Sequence, residues 1–171
     1  LVDLGKEYIE RHAKPNKRSW KEDQRILKVE LVPALGRRTA KNIARAEVQK
    51  LIETIAARPA PILANRTLSL ARKIYNYGIE KDLVPSNPCV GIPRPAKETE
   101  RERVLADDEI RRVWATCDEF SEEIAAIFRL FLLTGQRHTE VLRMERQEVD
   151  IDTSTWMLPG RRTKNGLAHS V

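Results

Sequence analysis

At 171 residues, the chain is long enough for one ordinary domain or two small ones, because single cores usually run to about 100–150 residues. A content of 41% hydrophobic and 33% charged residues describes a soluble globular protein. No apolar run approaches the roughly 20 residues of a bilayer crossing, and the opening Leu1-Val2-Asp3-Leu4-Gly5-Lys6 has no secretory signal, so the expected setting is cytoplasmic. The net charge of +6 divides unevenly: residues 1–92 hold 18 Lys+Arg against 10 Asp+Glu, and residues 93–171 hold 13 against 15. That asymmetry points to a polyanion, nucleic acid above all, on the N-terminal part. Cys89 and Cys117 share no CxxC or His-rich context, which predicts free structural thiols with no metal and no cofactor.

In chain order, the first part reads as four helices. Leu4, Tyr8 and Ile9 lie at helical spacing in residues 2–13, and Pro15 should end that helix. Ser19 is placed to cap a second helix through Trp20, Ile26, Leu27 and Val29 toward Leu31, with Pro33 and Gly36 punctuating its end. Thr39 can cap the third. Its Ile43, Ala44, Val48, Leu51, Ile52 and Ile55 form one face, Lys41, Arg45, Glu47 and Lys50 populate the other, and Pro59 and Pro61 close it. The fourth, from about Ile62 to Lys81, turns Leu63, Leu70, Ile74 and Tyr77 inward and leaves Arg66, Arg72 and Lys73 near its surface. Ten Lys+Arg stand against three Asp+Glu between Arg37 and Lys81, so the third and fourth helices are the ones expected to meet phosphates. Each helix has a single apolar stripe to bury, which predicts a helical bundle without strands.

Four prolines fall within residues 85–95, followed by the charged run Lys97-Glu98-Thr99-Glu100-Arg101-Glu102-Arg103. Such a stretch buries little apolar area and suits an exposed linker. Beyond it, Asp107 or Asp108 can cap a helix through Ile110, Val113 and Trp114. A more hydrophobic helix from Ser121 to Leu133 should place Ile124, Ile127, Phe128, Phe131 and Leu132 in a core, and Gly135 stops it. A short helix begins near His138. The period then changes to two: Glu148–Ile151 and Thr155–Leu158 read as strands joined by a turn at residues 152–154, with a third from Ala168 after Asn165-Gly166. A sheet stopping on its third strand reads as a cut end.

The most specific segment is Thr134-Gly135-Gln136-Arg137-His138-Thr139-Glu140-Val141-Leu142. A glycine-broken helix restarting at Arg137 presents a guanidinium beside free backbone N–H groups, a setting that suits a phosphate. Glu140 is three residues on and can hold Arg137 through a bidentate pair; the plainer alternative is a surface ion pair worth under about 1 kcal/mol. Some 24 residues later comes Arg161-Arg162-Thr163-Lys164-Asn165-Gly166. Lys164 at a hairpin tip can reach a neighbouring site or can be a solvated turn lysine.

Together these segments resemble the tyrosine recombinase, or phage integrase, family: Thr-Gly-x-Arg-x-x-Glu-Val-Leu, a strand pair ending Thr-Trp-x-Leu-Pro, then Arg-Thr-Lys-Asn-Gly. Upstream, Leu35-Gly36, Tyr75-x-Tyr77-Gly78-Ile79 and Asn87-Pro88 are similar to that family's core-binding domain. The resemblance implies a mainly α fold with a small β element. A four-helix SAM-like core-binding bundle would occupy residues 1–92 and a linker 93–103. The N-terminal portion of an α+β catalytic domain, with a three-stranded antiparallel sheet, would occupy 104–171. It also implies metal-free strand exchange on double-stranded DNA through a 3′-phosphotyrosyl link. In that scheme Arg137 binds a non-bridging phosphate oxygen, Lys164 protonates the leaving 5′-oxygen, and Glu140 supports the arginine. Lys41, Arg45, Arg66, Arg72, Lys73 and Arg162 are the expected DNA contacts.

Two departures shape the expectation. The family's His-x-x-Arg box and later nucleophilic tyrosine have no match: His12, His138 and His169 fall in no such box, and Tyr8, Tyr75 and Tyr77 lie on apolar helix faces, where packing is the expected role. The small N-terminal arm-binding domain is also without a match. The chain as given is therefore expected to bind DNA, as a monomer, without cleaving or rejoining it, while the parent assembles as a tetramer on DNA. A non-catalytic DNA-binding regulator explains the charge asymmetry but leaves the arginine-to-lysine spacing an accident; a protein-interaction bundle explains neither.

Overall fold

A computed structural model of the chain describes residues 1–58, 60–98 and 102–171. They fall into two units, Leu1–Glu100 and Arg101–Val171, mostly helical with one three-stranded antiparallel sheet. Pro59 and the linker residues 99–101 lie outside the described residues.

The first unit is built from α1 (residues 2–16), α2 (residues 20–35), α3 (Arg45–Ala56) and α4 (Pro61–Glu80). α1 and α2 run past the prolines expected to end them, to Asn16 and Leu35. In each, a π-helical turn, Ile9–Ala13 or Leu27–Leu31, precedes the proline. A π turn bonds i to i−5, and the widened register accommodates a residue with no N–H and a ring that would strike the carbonyl four back.

α4 is the element on which the others pack: α3 lies along it, and α1 and α2 contact it too. Ala64, Leu68, Ala71, Tyr75 and Gly78 form one buried stripe and Thr67, Leu70, Ile74 and Tyr77 a second beside it. Two adjacent stripes make a broad face, wide enough for three partners. α3 begins at Arg45, later than expected, and Ala44 is exposed. Thr39 instead precedes a 3-10 turn, Ala40–Asn42, and makes no side-chain cap. The cap of α3 comes from Glu47, whose Oε2 accepts the Ala44 N–H at 2.9 Å. Ser19 stands before α2 and likewise makes no side-chain cap.

The proline-rich run is tied down as far as its described residues reach, so the first unit extends beyond residue 92. Asn65, 1% exposed, donates to the Ala96 carbonyl at 2.8 Å and to Glu98 Oε1 at 2.8 Å, and accepts the Ala96 N–H at 3.2 Å. Asn87 donates to Asn76 Oδ1 at 2.7 Å and accepts the Cys89 N–H at 2.9 Å.

The second unit comprises α5 (Asp107–Thr116), α6 (Glu122–Thr134), α7 (His138–Val141) and the strands β1 (Val149–Asp150), β2 (Thr155–Leu158) and β3 (His169–Ser170). The order is β1-β2-β3, with Val149 opposite Trp156 and Leu158 opposite His169. Val141, Trp156 and Leu158 form the core, flanked by Ile127, Leu130, Phe131, Met144 and Val149. Ile124 and Phe128, expected in that core, are 43% and 44% exposed. α6 is apolar around most of its circumference, and the core takes only the Ile127–Leu130–Phe131 side; Leu132 is half-buried outside it. Phe128 packs against the rings of Phe120 and Phe131 instead. Asp107 and Asp108 lie in the first turn of α5, where they favour the helix dipole, while Glu109 accepts the Ala106 N–H at 2.9 Å as the cap. Among the described residues, no helix is long and apolar enough to cross a membrane and no group of His, Cys, Asp and Glu could hold a metal.

Replacing Asn65 with Ala should lower the stability of the first unit by about 1–3 kcal/mol, because the backbone of Ala96 loses both partners, and should speed tryptic cleavage after Lys97. Urea denaturation and limited proteolysis check this; unchanged cleavage would show that the run is held elsewhere.

Candidate active site

The arginine motif is shaped by a left-handed glycine. α6 ends at Gly135 with φ of 62°, a conformation glycine adopts without the steric penalty of a Cβ, and the chain restarts as α7 with Arg137 at its N-cap position. Glu140 turns back on that start: Oε2 accepts the Arg137 N–H at 3.0 Å and Oε1 accepts from Arg137 Nη1 at 3.1 Å. The glutamate side chain is 1% exposed and that of the arginine 55%. A buried carboxylate thus holds a guanidinium that faces out, an arrangement unlike a surface ion pair, in which both partners are solvated. Burial alone would raise the Glu140 carboxyl, but the N–H and guanidinium of Arg137 outweigh it and hold the group below its ordinary range. Next to it, Gln136 Oε1 lies 3.1 Å from His169 Nε2 on β3, so the glycine loop is also tied to the sheet. His169 is a strand residue, as expected.

The hairpin segment is pinned from inside. Arg162 was expected at a DNA surface, but its side chain is 11% exposed and its guanidinium is committed within the unit. Nη1 pairs with Glu148 Oε2, and Nη2 donates to the Glu140 carbonyl at 2.6 Å. Glu148 also accepts from Trp156 Nε1 at 3.2 Å. Those bonds outweigh the opposing effect of burial, so its carboxyl too sits below the ordinary range. Farther along, the buried Thr163 Oγ1 lies 3.0 Å from the Gly160 carbonyl and 2.9 Å from that of Leu167. A Cβ on Gly160 would run into the Gly166 carbonyl, so only glycine lets the two arms approach this closely. Lys164 is exposed on this loop. The structure therefore joins Arg137, Glu140 and Arg162 in one network and carries Lys164 two residues beyond it. Glu148 is the participant that sequence reasoning missed: nothing in its local pattern distinguishes it from a solvent-facing residue at a strand start.

The first-unit basic residues expected to contact DNA divide in two. Lys41, Arg66 and Lys73 are exposed, and the last two line a depression of about 260 Å³ of mixed charge, shared with Lys17 and with the acidic Glu22, Asp23 and Glu98. Arg45 and Arg72 are engaged with the chain's own backbone. Arg45 donates to the Gly91 carbonyl at 3.0 Å, and Arg72 donates to the carbonyls of Cys89 and Ile92. All three tyrosines are buried in this unit. Burial, then Asp23, pushes the Tyr8 hydroxyl up to about 12, and burial raises Tyr75 and Tyr77 as well. Tyr8 packs edge-on to Tyr77 at 5.9 Å.

Comparison with known proteins decides the relationship. The model of the phage integrase central domain matches residues 3–93, more than half of the chain. The chain belongs to the phage integrase, or tyrosine recombinase, family. Among relatives of this family, prophage integrase IntA of Escherichia coli (strain K12) is 23% identical over 151 residues, covering 86% of this chain and 37% of IntA. Tyrosine recombinase XerC of Bacillus pumilus (strain SAFR-032) is 21% identical over 103 residues, covering 58% of this chain and 34% of XerC. The chain thus spans about a third of the length of the curated tyrosine recombinases it matches. The fold is that of lambda integrase. A lambda integrase dimer bound to a COC′ core site matches all of the chain and 48% of its own, with TM-score 0.83 and 14% identity. A lambda integrase tetramer bound to a Holliday junction matches 99% of the chain and 49% of its own, with TM-score 0.84 and 14% identity.

Both buried carboxylates are held below their ordinary range, so their contribution to stability is complete above about pH 4.3, the unfolded glutamate value, and is lost as pH falls through their depressed folded values. Glu148→Gln should cost about 3–5 kcal/mol at neutral pH and flatten part of that acid decline. Urea melts followed by tryptophan fluorescence across pH read both effects; an acid limb unaltered by the substitution would show that Glu148 does not titrate with folding.

Proposed function

We propose that this chain is the core-DNA-binding and N-terminal catalytic portion of a recombinase that breaks and rejoins double-stranded DNA without a metal or cofactor. The observation that carries the proposal is the buried Glu140 behind the half-exposed Arg137. A guanidinium whose direction is fixed in advance binds a phosphate oxygen without reorganising, and stabilises the charge that grows there in the transition state. A regulator that only binds DNA has no use for such an arginine, since a phosphate contact for affinity works equally well on a mobile side chain.

In this mechanism a tyrosine hydroxyl gives up its proton to solvent as its oxygen bonds to phosphorus, the P–O5′ bond breaks, and the leaving 5′-oxygen takes a proton from the Lys164 ammonium; rejoining runs the same steps backward. Tyr8, Tyr75 and Tyr77 are packed in the helical unit, with hydroxyls hard to ionise, and none is assigned as the nucleophile. The exposed Lys41, Arg66 and Lys73 are the proposed phosphate contacts of the first unit. Arg45 and Arg72 reach phosphate only by leaving the backbone carbonyls they now hold, and Arg162 is assigned no DNA contact. Assembly as a tetramer on DNA is inferred for the complete protein, in line with the lambda integrase tetramer bound to a Holliday junction.

Binding to duplex DNA over a salt series tests the clamp. Neutralising Lys41, Arg66 and Lys73 together should flatten the slope of log affinity against log salt by about 3, roughly one for each phosphate left without its cation. Neutralising Arg162 should leave the slope unchanged, and an equal flattening by both sets would overturn the division between them.

A further inference from the structure

We propose that Arg162 is a positioning residue: held by Glu148 and by the Glu140 carbonyl, it fixes the hairpin carrying Lys164 against the turn carrying Arg137. The proposal rests on the recombinase reading and adds to it a residue that touches no DNA.

The geometry distinguishes Arg162 from an ordinary structural ion pair. Its two terminal nitrogens serve different elements: one meets the carboxylate of Glu148 at the entrance to β1, the other meets the main-chain carbonyl of Glu140 in α7. The side chain of that same Glu140 is what orients Arg137. Glu140 is therefore held at both ends, by Arg162 at its carbonyl and by Arg137 at its carboxylate. Immediately after Arg162, the buried Thr163 closes the loop against Gly160 and Leu167, and Lys164 follows. A planar fork can serve two acceptors at once, whereas a lysine ammonium is a point charge on a flexible stem. The bonds of Arg137 to Glu140 do not pass through Arg162. The consequence of removing the bridge therefore falls on Lys164, whose proton transfer needs placement within hydrogen-bond reach of the 5′-oxygen.

The test uses the protein expressed from its complete reading frame, on a suicide duplex bearing the site it selects from a random-sequence library. Two substrates are compared: one with the natural scissile phosphate, the other with sulfur in place of the bridging 5′-oxygen. A thiolate leaves without a proton, so the sulfur substrate does not depend on Lys164. Arg162→Lys and the double substitution Arg162→Met/Glu148→Met are examined, the second because it leaves no unpaired buried charge if the single change impairs folding; near-UV circular dichroism confirms the fold of each. Cleavage of the oxygen substrate should fall by about 30-fold or more in the double variant and less in Arg162→Lys, a sizeable part of the roughly 100- to 10,000-fold that general acid catalysis supplies. Cleavage of the sulfur substrate should stay within about 3-fold of the unmodified protein, and the salt slope of binding should not change. Equal slowing of both substrates, no slowing of either, or a salt slope reduced by about one would overturn the proposal. If the unmodified protein cleaves neither substrate, the recombinase reading itself fails and the proposal falls with it.

Discussion

A carboxylate taken out of water must find partners that replace its hydration, and the arrangement of the second unit follows from how Glu140 does so. Its oxygens meet the backbone and side chain of Arg137, which fixes where α7 begins and where the guanidinium points. That start is possible because Gly135 takes a left-handed turn and frees the chain from α6. The same residue's carbonyl is claimed by Arg162, which is anchored by Glu148, which in turn accepts from the buried indole of Trp156 on β2. Turn, helix, sheet and hairpin are joined through two buried glutamates and two arginines. Buried groups of this kind are costly unless engaged; both Glu140 oxygens are bonded, while Glu148 takes its bonds on Oε2 and leaves Oε1 without a partner. The bonded part of the network favours one arrangement over its alternatives.

The first unit uses charge differently. Its core is apolar and organised around α4, whose two buried stripes receive the other three helices. Its arginines serve the margins. Arg45 and Arg72 bind carbonyls of residues 89–92, and Asn65 binds Ala96, so the end of the bundle is held by polar side chains where proline-rich sequence has few N–H groups to contribute to a ladder. The basic residues expected to contact DNA in this unit therefore have two fates, one holding the chain and one facing solvent.

The four helices were legible in the sequence because each carries a 3.6-residue apolar period, and the hairpins because period two and Asn165-Gly166 leave little choice. Arg137, Glu140 and Gly135 were legible as a spacing. The prolines misled: Pro15 and Pro33 read as stops, and a π turn before each let the helix continue. Caps misled as well, because Ser19, Thr39, Asp107 and Asp108 have the right chemistry for an N-cap while Glu47, Glu109 and Glu140 supply the bond from three residues inside. Arg162 and Glu148 were illegible for a different reason. An arginine in a basic run looks solvated, and only the folded backbone brings it to a glutamate 14 positions away. Ile124 and Phe128 show the limit of composition: an apolar residue on an apolar helix is buried only if some element covers that side.

The most direct measurement is recovery of a covalent protein–DNA adduct. The protein from its complete reading frame would be incubated with duplex DNA in a chelating buffer, denatured in detergent and resolved by electrophoresis. An adduct joined through a tyrosine to a 3′-phosphate, with a free 5′-hydroxyl on the other strand end, is the expected result, and Arg137→Ala should abolish it while leaving DNA binding largely intact. DNA binding with no adduct, or an adduct that survives the loss of Arg137, would contradict the assignment of this chain to the chemistry of strand exchange.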